Sequence, residues 1–290
     1  MAQPGPVLAG AESLRRLSIA QRVADGHRGL DDLSLMALVS GSTAEDLADA
    51  RSDIDMCIVF DVLPAESALR DACRRAGGGD WFWHDGNDEE GRVVSFWLDG
   101  IEVQIGYSDR RTLVARVDEL LVEHRPDTPT HKLGEGILKA EPLAGEPALR
   151  ALQTRLAAFP PELGRAMVVH FLTLGAPWRA VSQLLHRDGA LWCRELLVEA
   201  SYGAFGVLAG LNGRYFARFQ FKRMRKFAAS LDWAPTHLVE QVETLLAAPP
   251  REAFVRLHAL EGELLDRVEA QLPEVDTAAI RRRRADFQPD

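Results

Sequence analysis

VSGSTAEDLADARSDIDMCIVF, residues 39–60, holds two apolar runs joined by a polar loop. The first run, Leu35 to Val39, reads as a strand that ends in the turn Ser40-Gly41-Ser42. The second, Ile54 to Phe60, is rich in β-branched residues and reads as a buried strand. Asp53 and Asp55 stand at its start, and side chains two apart on a strand share a face. Two carboxylates side by side repel each other unless a cation lies between them. Their hard oxygens suit Mg²⁺, which keeps several waters and binds substrate phosphates as well. Phosphoryl transfer wants this arrangement, because metal ions clamp the attacking and leaving oxygens of an in-line displacement. Asp-x-Asp alone occurs in many surface turns. Here a Gly-Ser turn precedes it, with ten residues between. Glycine at 41 lets backbone N–H groups approach a phosphate, and the Ser42 hydroxyl adds a donor.

Outward from this stretch the pattern stays mixed. Residues 11–24 carry apolar side chains at helical spacing, and Pro64 opens a second helix running to about Arg75. Segments 81–84, 92–98 and 101–107 read as strands, and Asp99-Gly100 joins the last two as a hairpin. Residues 110–124 read as a helix. In the last strand Glu102 and Gln104 alternate with apolar residues, so they share one polar face. That face is either the exposed side of an edge hairpin or the source of a third carboxylate. Beyond 125–147, rich in Pro and Gly, strand signals nearly vanish and residues 148–285 follow helical periodicity. Breaks fall at Pro160-Pro161, Pro177, Gly210 and Gly213, Pro235 and Pro249-Pro250. The expected fold class is α+β: a catalytic domain with a small mixed sheet and helices over 1–135, then an all-helical bundle over 136–290.

The stretch 39–60 resembles the Gly-Ser…Asp-x-Asp signature of the polymerase-beta-like nucleotidyltransferases. The chain is most similar in plan to stand-alone bacterial members with a helical C-terminal domain, including enzymes that modify lincosamides and aminoglycosides. HKLGEGILKAEPLAG, residues 131–145, is similar to a connector of that group, and LNGRYFARFQFKRMRKF, residues 211–227, to a second segment. The resemblance implies transfer of a nucleoside monophosphate from an NTP to a hydroxyl, with Asp53, Asp55 and Glu102 as catalytic residues and Mg²⁺ ligands. It implies Gly41 and Ser42 as phosphate contacts. The family's third acid is often an aspartate whose register falls at Gln104, and a glutamine supplies no charge. Glu102, two residues away on the same face, is then the acid that substitutes.

Arg214, Arg218, Lys222 and Lys226 stand at i, i+4 spacing, so a helix over 214–227 would carry a cationic stripe. Like charges so spaced cost about 0.2–0.5 kcal/mol per pair, so an anion should lie alongside. It is either the acidic side of a neighbouring helix or a triphosphate. The resemblance favours Lys222 as a phosphate-binding lysine, with Arg218 and Tyr215 as further nucleotide contacts. The aromatics here, Tyr215, Phe216, Phe219 and Phe227, suit a core better than a base stack. Asn212-Gly213 reads as the turn that opens this helix. His84, Asp85, Glu195 and Glu199 are weaker candidates, each as well explained by an exposed position. The run Arg281 to Arg284 reads as a solvated helix end.

The net charge of -9 over 290 residues argues against a nucleic-acid-coating role. Cys57, Cys73 and Cys193 are scattered, as expected of reduced thiols in a cytoplasm. No secretory leader or membrane span is expected. The expected partners are an NTP, ATP first, and a small-molecule hydroxyl acceptor such as an antibiotic or metabolite, bound by a monomer or homodimer. RNA or protein as acceptor, and nucleotide sensing without turnover, are the alternatives.

Overall fold

Alternation builds the sheet. In β2 (Ile54–Phe60), Ile54, Met56 and Ile58 are buried on one face while Asp55 and Cys57 take the other. β5 (Ile101–Asp109) repeats the pattern, with Val103 and Ile105 buried and Glu102 and Gln104 opposite. The computed structural model describes residues 10–30, 35–87, 91–172, 183–219 and 221–285. The expected break at Pro177 lies outside the described residues.

Six strands form one sheet in the order β3-β4-β5-β2-β1-β6. The other members are β1 (Met36–Ser40), β3 (Trp83–Asn87), β4 (Gly91–Leu98) and β6 (Glu141–Ala144). The pair β2 and β5 is parallel and every other pairing is antiparallel. Helices α1 (Ala11–His27) and α3 (Glu66–Arg75) cover one face. Ile19 and Val23 of α1 and Leu69 and Cys73 of α3 meet Ile58, Phe60, Phe96 and Ile105 there in a continuous apolar core. The β4–β5 hairpin turns at Asp99 and Gly100, both at positive φ, as its Asp-Gly signal requires.

The chain forms two compact units, Met1–Asp118 with Leu133–Ala158, and Glu119–Lys132 with Phe159–Asp290. The α+β class with a helical C-terminal region holds, but the boundary is not at 135. Residues 136–158 belong to the first unit, because β6 pairs with β1 and α6 (Glu146–Ala157) packs beside it. Four residues of strand, Glu-Pro-Leu-Ala, are too short and too Pro-interrupted to show as alternation.

In the second unit, α7 (Pro161–Phe171) crosses α8 (Ala190–Leu211) closely. A Cβ on Gly164 would lie 2.7 Å from the Gly210 carbonyl oxygen. α8 also packs on α11 (Pro250–Gln271), which is paired with α10 (Leu238–Ala247), through Leu197, Leu245, Phe254 and Leu257.

The expected helix over 214–227 is not formed. α8 ends at Leu211, and regular helix returns only in α9 (Met224–Ala229). Asn212 closes α8 instead of opening a new helix. Its side-chain amide donates to the Leu208 and Trp233 carbonyls, and its carbonyl accepts from the Trp233 N–H. The reason for the irregular path is aromatic packing. Phe205, Phe216, Phe221 and Phe227 converge, with Phe221 centroids 5.2, 5.2 and 5.4 Å from those of Phe205, Phe216 and Phe227. On a helix, Phe216 and Phe221 would point about 140° apart. Gly213 and Arg223, both at positive φ, make the turns that bring them together.

The C-terminal arginine run lies on α12 (Ala278–Ala285). Arg281 pairs with Asp266 and Glu269, and Arg284 Nη1 lies 2.7 Å from Glu261 Oε2. Among the described residues, no helix is long and apolar enough to cross a membrane.

Candidate active site

Asp55 is the centre of the arrangement. The β1–β2 register places it opposite Ser40, and the parallel β2–β5 register places it beside Gln104. Continuing that register by one residue sets Asp53, just before β2, beside Glu102. Asp53 and Asp55 bracket Ile54, which is fully buried in the core, so both carboxylates belong to the opposite face. The Gln104 amide donates to Glu102 Oε1 at 3.0 Å, so the glutamine holds the glutamate's orientation. Thus both positions weighed for the third acid lie in one patch with the aspartates. The carboxylate is one side-chain pair further along the strand than Asp55.

Gly41 follows Ser40 at φ +62, in the left-handed region. A Cβ built there would lie 2.4 Å from Asp55 Oδ2. The backbone of the Gly-Ser turn is therefore packed directly against the carboxylate, and only glycine permits it. Ser42 is partly exposed in the short turn Gly41–Ala44.

The polar loop from Glu45 to Ser52 is fastened rather than loose. Arg16, on α1 and 1% exposed, donates from Nε to the Ser52 carbonyl at 2.9 Å and ion-pairs with Glu12. Ser13 Oγ accepts from the Ala48 N–H, and Asp46 accepts from the Gly10 N–H. Asp49 accepts from the Arg51 N–H at 2.8 Å, which with the Ser52 hydroxyl holds its carboxyl below the usual range. Arg16 thereby fixes the backbone immediately before Asp53. Sequence reading missed this role, because a buried arginine and a solvated one look alike in a helix of mixed pattern.

A second residue missed is Lys139, after α5 (Thr130–Leu138). Its Nζ lies 3.6 Å from Glu45 Oε2 and pairs with Glu135, bringing a cation near the Gly-Ser turn. Burial pushes the thiol of Cys57, on the same strand face as Asp55, up to about 11.

Carboxylate oxygens from Asp53 and Asp55 fit a hard divalent ion. Among the described residues, no three His, Cys, Asp or Glu side chains already converge into a metal-holding cluster.

The other expected nucleotide contacts, Tyr215, Arg218 and Lys222, belong to the second unit, and the helix expected to carry them is not formed. Tyr215 is 5% exposed, its ring 5.1 Å from Phe159 and 5.9 Å from His131, so it serves the core. Arg218 pairs with Glu199 of α8 and lies 5.3 Å over the Tyr202 ring. Arg214 donates to the Ser230 carbonyl and lies 3.7 Å from Asp232. With the helix absent there is no stripe, and acidic neighbours answer two of its cations. Lys222 is exposed.

No family model and no curated protein matches the chain. Among solved structures it is similar to a nucleotidyltransferase-like protein from Exiguobacterium sibiricum 255-15, at 13% identity and a TM-score of 0.45, over 88% of this chain and 77% of that one. It is also similar to a cytoplasmic RNA terminal U-transferase, at 14% identity and a TM-score of 0.28, over 56% of this chain and 48% of that one.

Proposed function

We propose that the chain is a Mg²⁺-dependent nucleotidyltransferase that moves a nucleoside monophosphate from an NTP to a hydroxyl of a small molecule. The observation that carries this reading is the contact of Asp55 with the Gly41 backbone, in a patch shared with Asp53 and Glu102. Gly41 and Ser42 receive the terminal phosphates, and Asp53 and Asp55 hold the metal. The bound Mg²⁺ supplies charge neutralisation on the phosphates during an in-line displacement. The acceptor oxygen attacks the α-phosphorus, the bond to the bridging oxygen breaks and pyrophosphate leaves. Glu102, oriented by Gln104, takes the hydroxyl proton. ATP is the first NTP to try, and an antibiotic or metabolite the acceptor class. The cations of the second unit favour a small acceptor over RNA, since Arg218, Arg225, Arg281 and Arg284 each have carboxylate partners.

The test is thermal denaturation with each NTP, with and without Mg²⁺, comparing the wild type with Asp53→Asn/Asp55→Asn. A ligand at 100 times its Kd adds about 2.7 kcal/mol. That is a rise of several degrees in a chain of this size. A Mg²⁺-dependent rise that the double variant loses is the expected result. No rise with any NTP, alone or with candidate acceptors, would remove the assignment.

A further inference from the structure

Three aromatic side chains stand in the open beside the carboxylate patch. Trp97 on β4 is the cross-strand partner of Glu102, and Ser95 is the partner of Gln104. Val94, Phe96 and Leu98 of β4 point into the core, so Trp97 projects from the face that carries the carboxylates. Trp97 is 54% exposed and stacks on Phe82, itself 52% exposed, at a centroid distance of 5.5 Å and an interplanar angle of 24°. Trp83, 47% exposed, is paired with Ser95 and so shares the face. Leaving such rings in water is unfavourable, and the seven aromatics and aliphatics on the opposite face of β4 and β5 are buried.

The order across the sheet gives this platform a role, which rests on the function proposed above. Gly41 and Ser42 follow β1; Asp53 and Asp55 belong to β2; Glu102 and Gln104 to β5; Trp97 and Ser95 to β4. Phosphate binding at Gly41 and Ser42 puts the departing pyrophosphate on the β1 side. In-line displacement requires the attacking oxygen to arrive from the opposite side, across Glu102. Trp97 is two strand spacings from Asp53, roughly 10 Å. One small ring spans the gap. We infer that Trp97, backed by Phe82 and with Trp83 beside it, is the acceptor platform. Its ligand is a hydroxyl-bearing ring compound, uncharged or cationic. A ring face on Trp97 with Glu102 adjacent attracts a cation and repels a polyanion.

The experiment uses the full chain labelled with ¹⁵N-tryptophan. Its six indole N–H signals are counted from the sequence, and Trp97→Phe and Trp83→Phe assign two of them. D-glucosamine and serotonin serve as saturated and aromatic hydroxyl-bearing ring cations, and a uridine hexanucleotide as the polyanion. The inference expects both cations to move the Trp97 signal in the presence of Mg²⁺·ATP, and Trp97→Ala to weaken their binding about tenfold. The hexanucleotide leaves that signal in place. A Trp97 signal unmoved by either cation, or moved by the hexanucleotide instead, overturns it. The Mg²⁺·ATP thermal shift, measured on the same samples, separates this failure from failure of the nucleotide site: a shift lost in Asp53→Asn/Asp55→Asn but kept in Trp97→Ala leaves only the platform at fault.

Discussion

Gly41 shows how much one residue decides. Its φ of +62 is a conformation that costs other residues about 1–2 kcal/mol, and its missing Cβ is the space that Asp55 Oδ2 occupies. Gly41→Ala should therefore destabilise the fold by about 1–3 kcal/mol and push the carboxylate from its place. Affinity for Mg²⁺·ATP should fall at least tenfold, read by titration after urea denaturation has confirmed a folded sample. An alanine variant that binds as tightly as the wild type would mean the Asp55 carboxylate is not used where it stands. Glu102 and Gln104 teach the complementary lesson. Their alternation marked a polar face in the sequence, yet which of them neighbours which aspartate is a matter of β2–β5 register, and no local pattern contains it.

Between residue and domain, α1 acts as the clamp of the catalytic loop. The helix buries Ile19 and Val23, which its spacing announced, but it also buries Arg16, which nothing announced. Hydrogen bonds from a charged group contribute about 1.5–3 kcal/mol each at most. Arg16→Met keeps the helix and its length while removing the hold on the Ser52 carbonyl. Backbone amides of residues 45–52 should then exchange with deuterium at least tenfold faster, with the rest of the sheet little changed. Equal exchange in variant and wild type would show that the loop is held by Ser13, Asp46 and Asp49 alone. The element that sequence pattern misread, 214–227, failed for a reason of the same kind. Charge spacing was read as helix, but the aromatics five and six residues apart dictate the path, and burying Phe216 outweighs regular hydrogen bonding.

At the scale of the whole molecule, two buried titratable groups, one in each unit, should answer acid in opposite directions. In the first, His27 is fully buried between the Val23 carbonyl, which accepts from Nδ1, and the Tyr107 hydroxyl, which donates to Nε2, both at 2.7 Å. Burial lowers its pKa to about 4 from 6.5, so the fold holds the neutral form. The folded state then binds fewer protons, and on the order of 3 kcal/mol of stability is lost as pH falls from 6.5 to about 4. In the second, Glu261 pairs with Arg284 through Oε2, while Oε1 is buried without a hydrogen-bond partner among the described residues. Burial raises its carboxyl to about 6, against the pull of Arg284. Here the folded state binds more protons, so the contribution is complete below pH 4.5 and fades as pH rises through about 6, on the order of 2 kcal/mol in all. Hydrogen exchange resolved by peptide, corrected for intrinsic rates at pH 4.5 and 6.5, should show the strands around His27 loosening in acid and helix α12 tightening. Glu261→Gln should abolish the second trend and leave the first. Parallel behaviour of the strands around His27 and of helix α12 would contradict these assignments.

The stretch 39–60 by itself determined two strands, the turn between them and the pair of carboxylates, because alternation and a Gly-Ser turn are local properties of the chain. It also determined the mixed first half, the Asp99-Gly100 hairpin and the helical character of the rest. Tertiary structure decided what depends on neighbours far away in sequence. β6 joined the first unit because an open edge of β1 was there to receive it. Arg218 found Glu199, and Tyr215 went into the core, because packing across helices fixes partners that charge spacing cannot. Trp97 came to stand beside Glu102 because antiparallel register, set by a two-residue turn, placed it there. Periodicity is written along one segment; register and packing arise only when segments meet.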